Sequence, residues 1–319
     1  MHAPTQVRVF APASISNIGP GFDALGLAVA GLGDTVVARR LPGAARDDEP
    51  AVRLLAVEGD GGKLPRVADR NTAGIAAATV LSMAGSDARI ELELYKGMPI
   101  GTGLGSSAAS AAAAACATNL LLGSPFTHEQ LVGAAVEAEA VVSGRHGDNV
   151  APSLLGGMVL VRSLDPPDVV RIPVPAGLAV VVVTPAFELS TRAARAALPT
   201  DVPLAALVRY SANTGALIAA CHSGDLALLG RALDEQIIVP VRAELIPGAR
   251  RVMDAATAAG AVGSSISGAG PSIFAFCAGG PAGPTAKRVA LAMIAAFRSA
   301  GIEASSIISP GQVPGAREA

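Results

Sequence analysis

Residues 96–110, KGMPIGTGLGSSAAS, run into a nearly pure alanine segment and constrain this chain more than any other stretch. Gly101, Gly103 and Gly105 alternate, so the backbone can turn tightly there and come close to a ligand. Ser106 and Ser107 are placed to cap a helix over Ala108 to Leu122. The unpaired N–H groups at such a helix start, with the positive end of its dipole, form an anion site suited to phosphate. A Walker A loop is excluded, because no lysine stands between Gly105 and Ser106. A dinucleotide fingerprint fits poorly, since the glycines run G-x-G-x-G and no acidic residue falls where a ribose ligand belongs. The preceding IELELYK alternates apolar and charged residues, which predicts a half-exposed antiparallel strand. With three lysines in the whole chain, charge to offset a phosphate must come from elsewhere.

At 319 residues the chain can bury a full core and is expected to form two domains, 1–170 and 171–319, divided at the Pro/Asp-rich crossing Ser163 to Pro175. A net charge of −2 and a pI near 6.1 give no electrostatic footprint for nucleic acid or an anionic membrane. Cys116, Cys221 and Cys277 are odd in number, widely spaced and in apolar contexts, so a disulfide framework is not indicated and a cytoplasmic location is expected. Arg8 interrupts the first apolar run, which argues against a signal peptide, and no membrane-spanning helix is expected.

Taken in order, Gln6 to Pro12 reads as a strand entering the broken stretch PASISNIGPGFDALGLAV, where Asn17 and Asp23 sit among Pro and Gly. Strands follow over Asp34 to Arg40 and Ala51 to Glu58, separated by a polar passage, Pro42 to Pro50. A helix is expected over Ala73 to Met83, opened by Asp69 to Thr72. After the alanine helix, Thr127 to Gln130 matches a capping box opening a helix from about His128 to Val142. On that helix Val132, Ala135, Val136 and Glu139 share one stripe while Glu137 lies opposite. A carboxylate on an apolar stripe needs a partner, either an arginine or a Mg²⁺ ion aimed at the serines of the glycine loop. The turn RHGDNVAPS then carries His146, Asp148 and Asn149, which as a turn could serve local hydrogen bonding or chemistry. In the second half, Ser190 or Thr191 caps a short helix bearing Arg192 and Arg195, Arg242 lies in a Pro-bounded linker, and a second glycine loop, Ser267 to Ser272, joins two strands. A tight turn explains that loop's glycines as well as a ligand-facing role does. Interleaved strands and helices predict an α/β sandwich packed on one sheet face.

Three stretches stand together in order: PASISNIGPGFDALG, PIGTGLGSSAA and SGAGPSIFAF. The arrangement resembles the GHMP kinase superfamily, and SNIGPGFDALG, SG-x-H-x-DNVAP and ELSTRAAR are most similar to its homoserine kinase family. The resemblance implies an α+β, two-domain GHMP kinase fold, with an N-terminal ribosomal-protein-S5-like α/β domain and a C-terminal ferredoxin-like α/β sandwich. It implies phosphorylation of the L-homoserine hydroxyl by ATP with Mg²⁺, and it leans towards a homodimer. By the same resemblance Pro99, Ile100, Gly101, Thr102, Gly103, Leu104, Gly105, Ser106, Ser107, Ala108 and Ala109 wrap the ATP phosphates, with Gly268 and Gly270 facing the nucleotide and Asn71 near adenine. Ser107 and Glu139 hold Mg²⁺, while Asn17, Asp23, His146, Asn149, Arg195 and Arg242 form the homoserine site. The spacing from Glu139 to His146 is one residue shorter than the family's usual spacing, which leaves Glu137 as the fallback ligand. The first motif carries no lysine, so Asn17 and Asn149 are expected to orient the hydroxyl without a strong general base, with Asp148 as the competing base. Another small alcohol (mevalonate, shikimate, pantoate or a sugar) as acceptor, or a non-catalytic nucleotide sensor, are the alternatives.

Overall fold

Val7, Val9 and Ala11 alternate with more exposed neighbours and turn one face of the first strand, β1 (Gln6–Ser16), into the core. In this computed structural model, which describes residues 3–45, 49–142 and 144–319, the strand continues four residues past Pro12 to Ser16. The break expected there is confined to the turn before β2 (Leu25–Ala44), a 20-residue strand that pairs with β1 along most of its length. Part of the polar passage Pro42 to Pro50 lies outside the described residues.

The chain then runs through β3 (Val52–Glu58), α1 (Thr72–Met83), β4 (Ala88–Tyr95), α2 (Ser106–Leu121), α3 (His128–Ala140), α4 (Val150–Leu155), β5 (Met158–Leu164) and β6 (Pro167–Ile172). It continues as β7 (Ala179–Pro185), α5 (Thr191–Ala196), α6 (Leu204–Ser223), α7 (Leu226–Ala232), α8 (Val239–Ala243) and α9 (Ala249–Ala258). The last elements are β8 (Gly263–Ile266), β9 (Ile273–Cys277), α10 (Pro284–Ser299), β10 (Ala304–Pro310) and β11 (Arg317–Glu318). The described residues form a seven-stranded sheet, with β11-β1-β2-β4-β3 in order and β5 and β6 branching from the first part of β2, and a four-stranded sheet in the order β10-β7-β9-β8. β4 alternates buried and half-buried residues as expected, yet it is antiparallel only to β2; its other neighbour, β3, runs parallel to it. The crossing Ser163 to Pro175 is largely the β5–β6 hairpin, and the chain passes to the second sheet only after β6. Its last strand returns to pair with β1.

α2 lies against β1 and β2, flanked by α1 and α3. Ala108, Ala109, Ala111 to Ala115 and Ala117 are fully buried, which explains the alanine run: a helix apolar all round is a buried one, and small side chains let the sheet and both flanking helices approach it. In the second sheet, Val181, Val183, Ile273 and Ala275 face a core shared with α9 and α10, while Val180, Val182, Phe274 and Phe276 join the core of the first sheet. By length and composition alone, α6 is long and apolar enough to cross a membrane. Polar side chains tie α6 to the rest of the protein: Thr214 Oγ1 donates to the Pro20 carbonyl at 2.7 Å, Asn213 donates to the Asp234 carbonyl, and Arg209 pairs with Asp234.

Candidate active site

The glycine loop ends in a left-handed Gly105, φ +67°, which is itself the N-cap of α2 and has no side chain to bond. Ser106 and Ser107 are therefore the first helical residues and not its caps, and their side chains are released for other work. A Cβ on Gly105 would lie 2.4 Å from Ser14 Oγ and 2.8 Å from Asn149 Oδ1, so only glycine lets the three segments meet here. Ser14 N–H donates to the Leu104 carbonyl at 3.1 Å, and Ser272 N–H to the Thr102 carbonyl at 3.2 Å. Ser267 Oγ donates to the Gly103 carbonyl at 2.6 Å, and Gly268 N–H to the Ser16 carbonyl at 3.1 Å. The first and third motifs thus brace the middle one, by two backbone hydrogen bonds and the Ser267 hydroxyl, and are tied to each other by the fourth bond.

These loops line a cleft of about 480 Å³ whose walls include Ile100 to Gly103, Gly105, Ser106 and Ser107. Asn17, Asp23, Asn71, Glu139, His146, Asp148, Asn149, Arg195, Arg242 and Gly268 line the same cleft. Leu104, Ala108 and Ala109 are buried in the core, Pro99 lines a separate cleft, and Gly270 packs against Ile246. None of these five is among the residues that line the cleft.

Glu139 comes from the buried stripe of α3 and is 3% exposed. Its Oε2 accepts the Ser107 hydroxyl at 3.0 Å, while Glu137 points outward and pairs with Arg145. Despite the short spacing to His146, it is Glu139 and not Glu137 that lies beside Ser107. A hydroxyl and a carboxylate oxygen at that separation, opening on the phosphate loop, suit Mg²⁺, which keeps several waters and takes substrate phosphate oxygens beside one or two protein ligands.

A lysine lies beneath the phosphate loop. Lys96 Nζ donates to Asp34, to the Ser106 carbonyl at 2.7 Å and to Ser110 Oγ at 2.9 Å. All three donors are thereby engaged, so Lys96 fixes the first turn of α2 instead of reaching a phosphate. Burial drives its pKa down and Asp34 opposes that. Asn71 is likewise structural on its visible bonds: its Oδ1 caps α1 at Ala73 N–H and its Nδ2 donates to the Pro65 carbonyl.

At the other end of the cleft, Asp23 has φ +57° and forms a two-bonded ion pair with Arg195, at 2.8 and 2.9 Å. This pairing raises the Arg195 pKa. Arg242, in the short helix α8 where a linker was expected, is 3% exposed and donates to the Gly268 carbonyl. Burial lowers its pKa. Asn17 Oδ1 accepts Asp23 N–H and its Nδ2 donates to Gly268 O, while Asn149 accepts from Ser14 Oγ and donates to Ser16 Oγ. Each amide keeps one hydrogen and one lone pair beyond these bonds. His146 Nδ1 lies 3.3 Å from Asp148 Oδ1, and both are buried.

The family models for the GHMP kinases N terminal domain and the GHMP kinases C terminal match residues 71–157 and 217–299. The homoserine kinase of Xanthomonas campestris pv. campestris (strain B100) is 42% identical over 313 residues, covering 98% of this chain and 94% of that protein. This chain belongs to the homoserine kinase family of GHMP kinases. The homoserine kinase of Arabidopsis thaliana is 45% identical over 273 residues, 84% of this chain and 73% of that one. A crystal structure of homoserine kinase from Cytophaga hutchinsonii superposes with a TM-score of 0.93 at 40% identity, covering 100% of this chain and 99% of that chain. Mevalonate kinase from L. major, at 16% identity and a TM-score of 0.66, shares the fold. The family's two matched segments contain Glu139, Asp148 and Arg242 but leave out Asn17, Asp23 and Arg195.

Proposed function

We propose that the chain transfers the γ-phosphoryl group of ATP to the side-chain hydroxyl of L-homoserine, giving O-phospho-L-homoserine and ADP. The observation that carries this reading is one cleft joining a braced phosphate loop to Asp23, Arg195 and Arg242. A free amino acid presents an ammonium and a carboxylate together. Asp23 suits the first, and two guanidinium groups suit the second, because each can donate parallel hydrogen bonds. Asn149, whose Oδ1 sits beside Gly105, is read as the group that meets the acceptor hydroxyl at the phosphate loop.

In the transfer, the bond from the homoserine oxygen to phosphorus forms as the bond to the ADP oxygen breaks, and the hydroxyl proton passes to water or a phosphoryl oxygen. Such transfer is mostly positioning and charge stabilisation. Ser107 and Glu139 would hold Mg²⁺, which when bound offsets triphosphate charge. The backbone N–H groups at the start of α2 supply the rest. Asn17 and Asn149 use their remaining bonding capacity to orient the hydroxyl. Asp148, whose Oδ1 lies 3.3 Å from His146 Nδ1, is read as shaping the turn. Asp148→Asn is accordingly expected to keep kcat within about tenfold; loss of turnover with homoserine affinity and fold intact would make Asp148 the base. A homodimer and a cytoplasmic location complete the proposal, the first supported by family resemblance and the second by three unpaired buried cysteines.

ADP release measured with a panel of acceptor alcohols tests the reading. Homoserine is expected to give the highest kcat/KM; preference for mevalonate, shikimate, pantoate or a sugar would replace the acceptor, and ATP binding without turnover would replace the enzyme by a sensor.

A further inference from the structure

The two arginines that face the acceptor end of the cleft come from separate elements, α5 and α8, and carry like charges. Among the described residues only one of them is ion-paired to a carboxylate: Asp23 is bonded to Arg195, and Arg242 donates to the Gly268 carbonyl. What the two share is an aromatic ring. The guanidinium carbon of Arg195 lies 5.4 Å from the centre of the Phe22 ring and that of Arg242 lies 5.2 Å from it. Phe22 is itself anchored, since its backbone N–H donates to the Tyr210 hydroxyl of α6 at 2.7 Å. Burial pushes the Tyr210 pKa up to about 12, so the hydroxyl stays neutral and the anchor holds through the physiological range.

A ring offers a guanidinium an attraction that uses its face and leaves its N–H edge free for in-plane hydrogen bonds. A carboxylate partner would occupy that edge. One ring against two guanidinium groups therefore offsets part of their mutual repulsion; Asp23 takes two of Arg195's donors, while the buried Nε–H groups of Arg195 and Arg242 have no partner among the described residues. We infer that Phe22 is a positioning residue that holds Arg195 and Arg242 as a pair, so that together they receive the carboxylate of the acceptor amino acid. Phe22 thereby sets the preference for an amino acid over the corresponding amino alcohol without touching the reacting atoms. The inference rests on the homoserine kinase reading above and adds a source of acceptor specificity to it.

The test compares L-homoserine with 3-aminopropan-1-ol, which keeps the amine and the hydroxyl and lacks the carboxylate, in the full-length protein and its Phe22→Leu and Phe22→Tyr variants. Leucine keeps apolar bulk and removes the ring, whereas tyrosine keeps the ring. Loss of two ring–cation contacts is expected to lower kcat/KM for homoserine about tenfold in Phe22→Leu, through KM. The KM for ATP and the constants for 3-aminopropan-1-ol, read as substrate or competitive inhibitor, stay within about twofold, and Phe22→Tyr stays near wild type. Parallel losses with both acceptors would reduce Phe22 to a packing role, and so would a Phe22→Tyr variant as impaired as Phe22→Leu. An unchanged homoserine KM in Phe22→Leu would overturn the inference outright. Should the wild-type protein fail to phosphorylate homoserine at all, the functional reading fails first, and that outcome is separate from these.

Discussion

Glu139→Gln is expected to lower turnover by on the order of a hundredfold at limiting Mg²⁺, with part of the loss recovered as Mg²⁺ is raised. The substitution keeps the size of the side chain and its ability to accept the Ser107 hydroxyl, which now lies 3.0 Å from Oε2. It removes the only negative charge that α3 directs at the phosphate loop, since Glu137 faces Arg145 on the outer side. An amide oxygen binds a hard cation more weakly than a carboxylate does, so the deficit should track Mg²⁺ concentration. Steady-state rates over a Mg²⁺ titration, with unfolding monitored in parallel, read this out. Full activity at low Mg²⁺ would remove Glu139 from the metal site.

Asp23→Ala is expected to raise the KM for homoserine about a hundredfold while changing the KM for ATP little. Two losses combine at one position. The substrate ammonium loses its carboxylate, and Arg195 loses both of its hydrogen-bonded contacts, leaving two cations against one Phe22 ring. The pair is partly open to water, at 33% exposure for Asp23 and 38% for Arg195, so solvent moderates the cost to fold stability. Alanine tolerates the left-handed φ of this position less well than aspartate does, and a modest destabilisation accompanies the binding defect. Homoserine and ATP saturation curves decide the matter; a homoserine KM equal to that of wild type would withdraw Asp23 from ammonium binding.

Much of this site is legible in the chain because its signals are local. The alternating glycines before an alanine helix encode a close backbone approach, and the structure uses it at Gly105, where a Cβ would collide with Ser14 and Asn149. Helical phase separates Glu139 from Glu137, and the capping box at Thr127 and Gln130 fixes where that phase begins. The caps of α1, α5 and α7 at Asn71, Ser190 and Asp225 are equally local, each accepting a backbone N–H of its own helix.

The features that escaped depend on partners far away in sequence. Lys96 reads as the end of a strand until Asp34, brought alongside by β2–β4 pairing, meets it under the first turn of α2. Asp23 and Arg195 are each assigned to a substrate charge by resemblance, yet nothing local says that they pair with each other across 172 positions. Phe22 looks like an ordinary apolar residue of a turn; its local signal is the scarcity of aromatic residues, 3% of the chain, which sets apart a phenylalanine beside Asp23. Strand extents differ from the sequence expectation for a related reason. Pro12 and the glycines of β2 are breakers by propensity, but β1 and β2 carry them through an irregular register at Pro12 and Ala13, with pairing on both sides.

The most direct test of the central claim is to follow phosphorus in a reaction of the purified protein with ATP, Mg²⁺ and L-homoserine by ³¹P NMR. The account predicts ADP and a phosphomonoester on the side-chain oxygen of homoserine in equal amounts, with no such product when homoserine is omitted. ATP bound but not consumed, or phosphorus transferred to the carboxylate or to water alone, would contradict it.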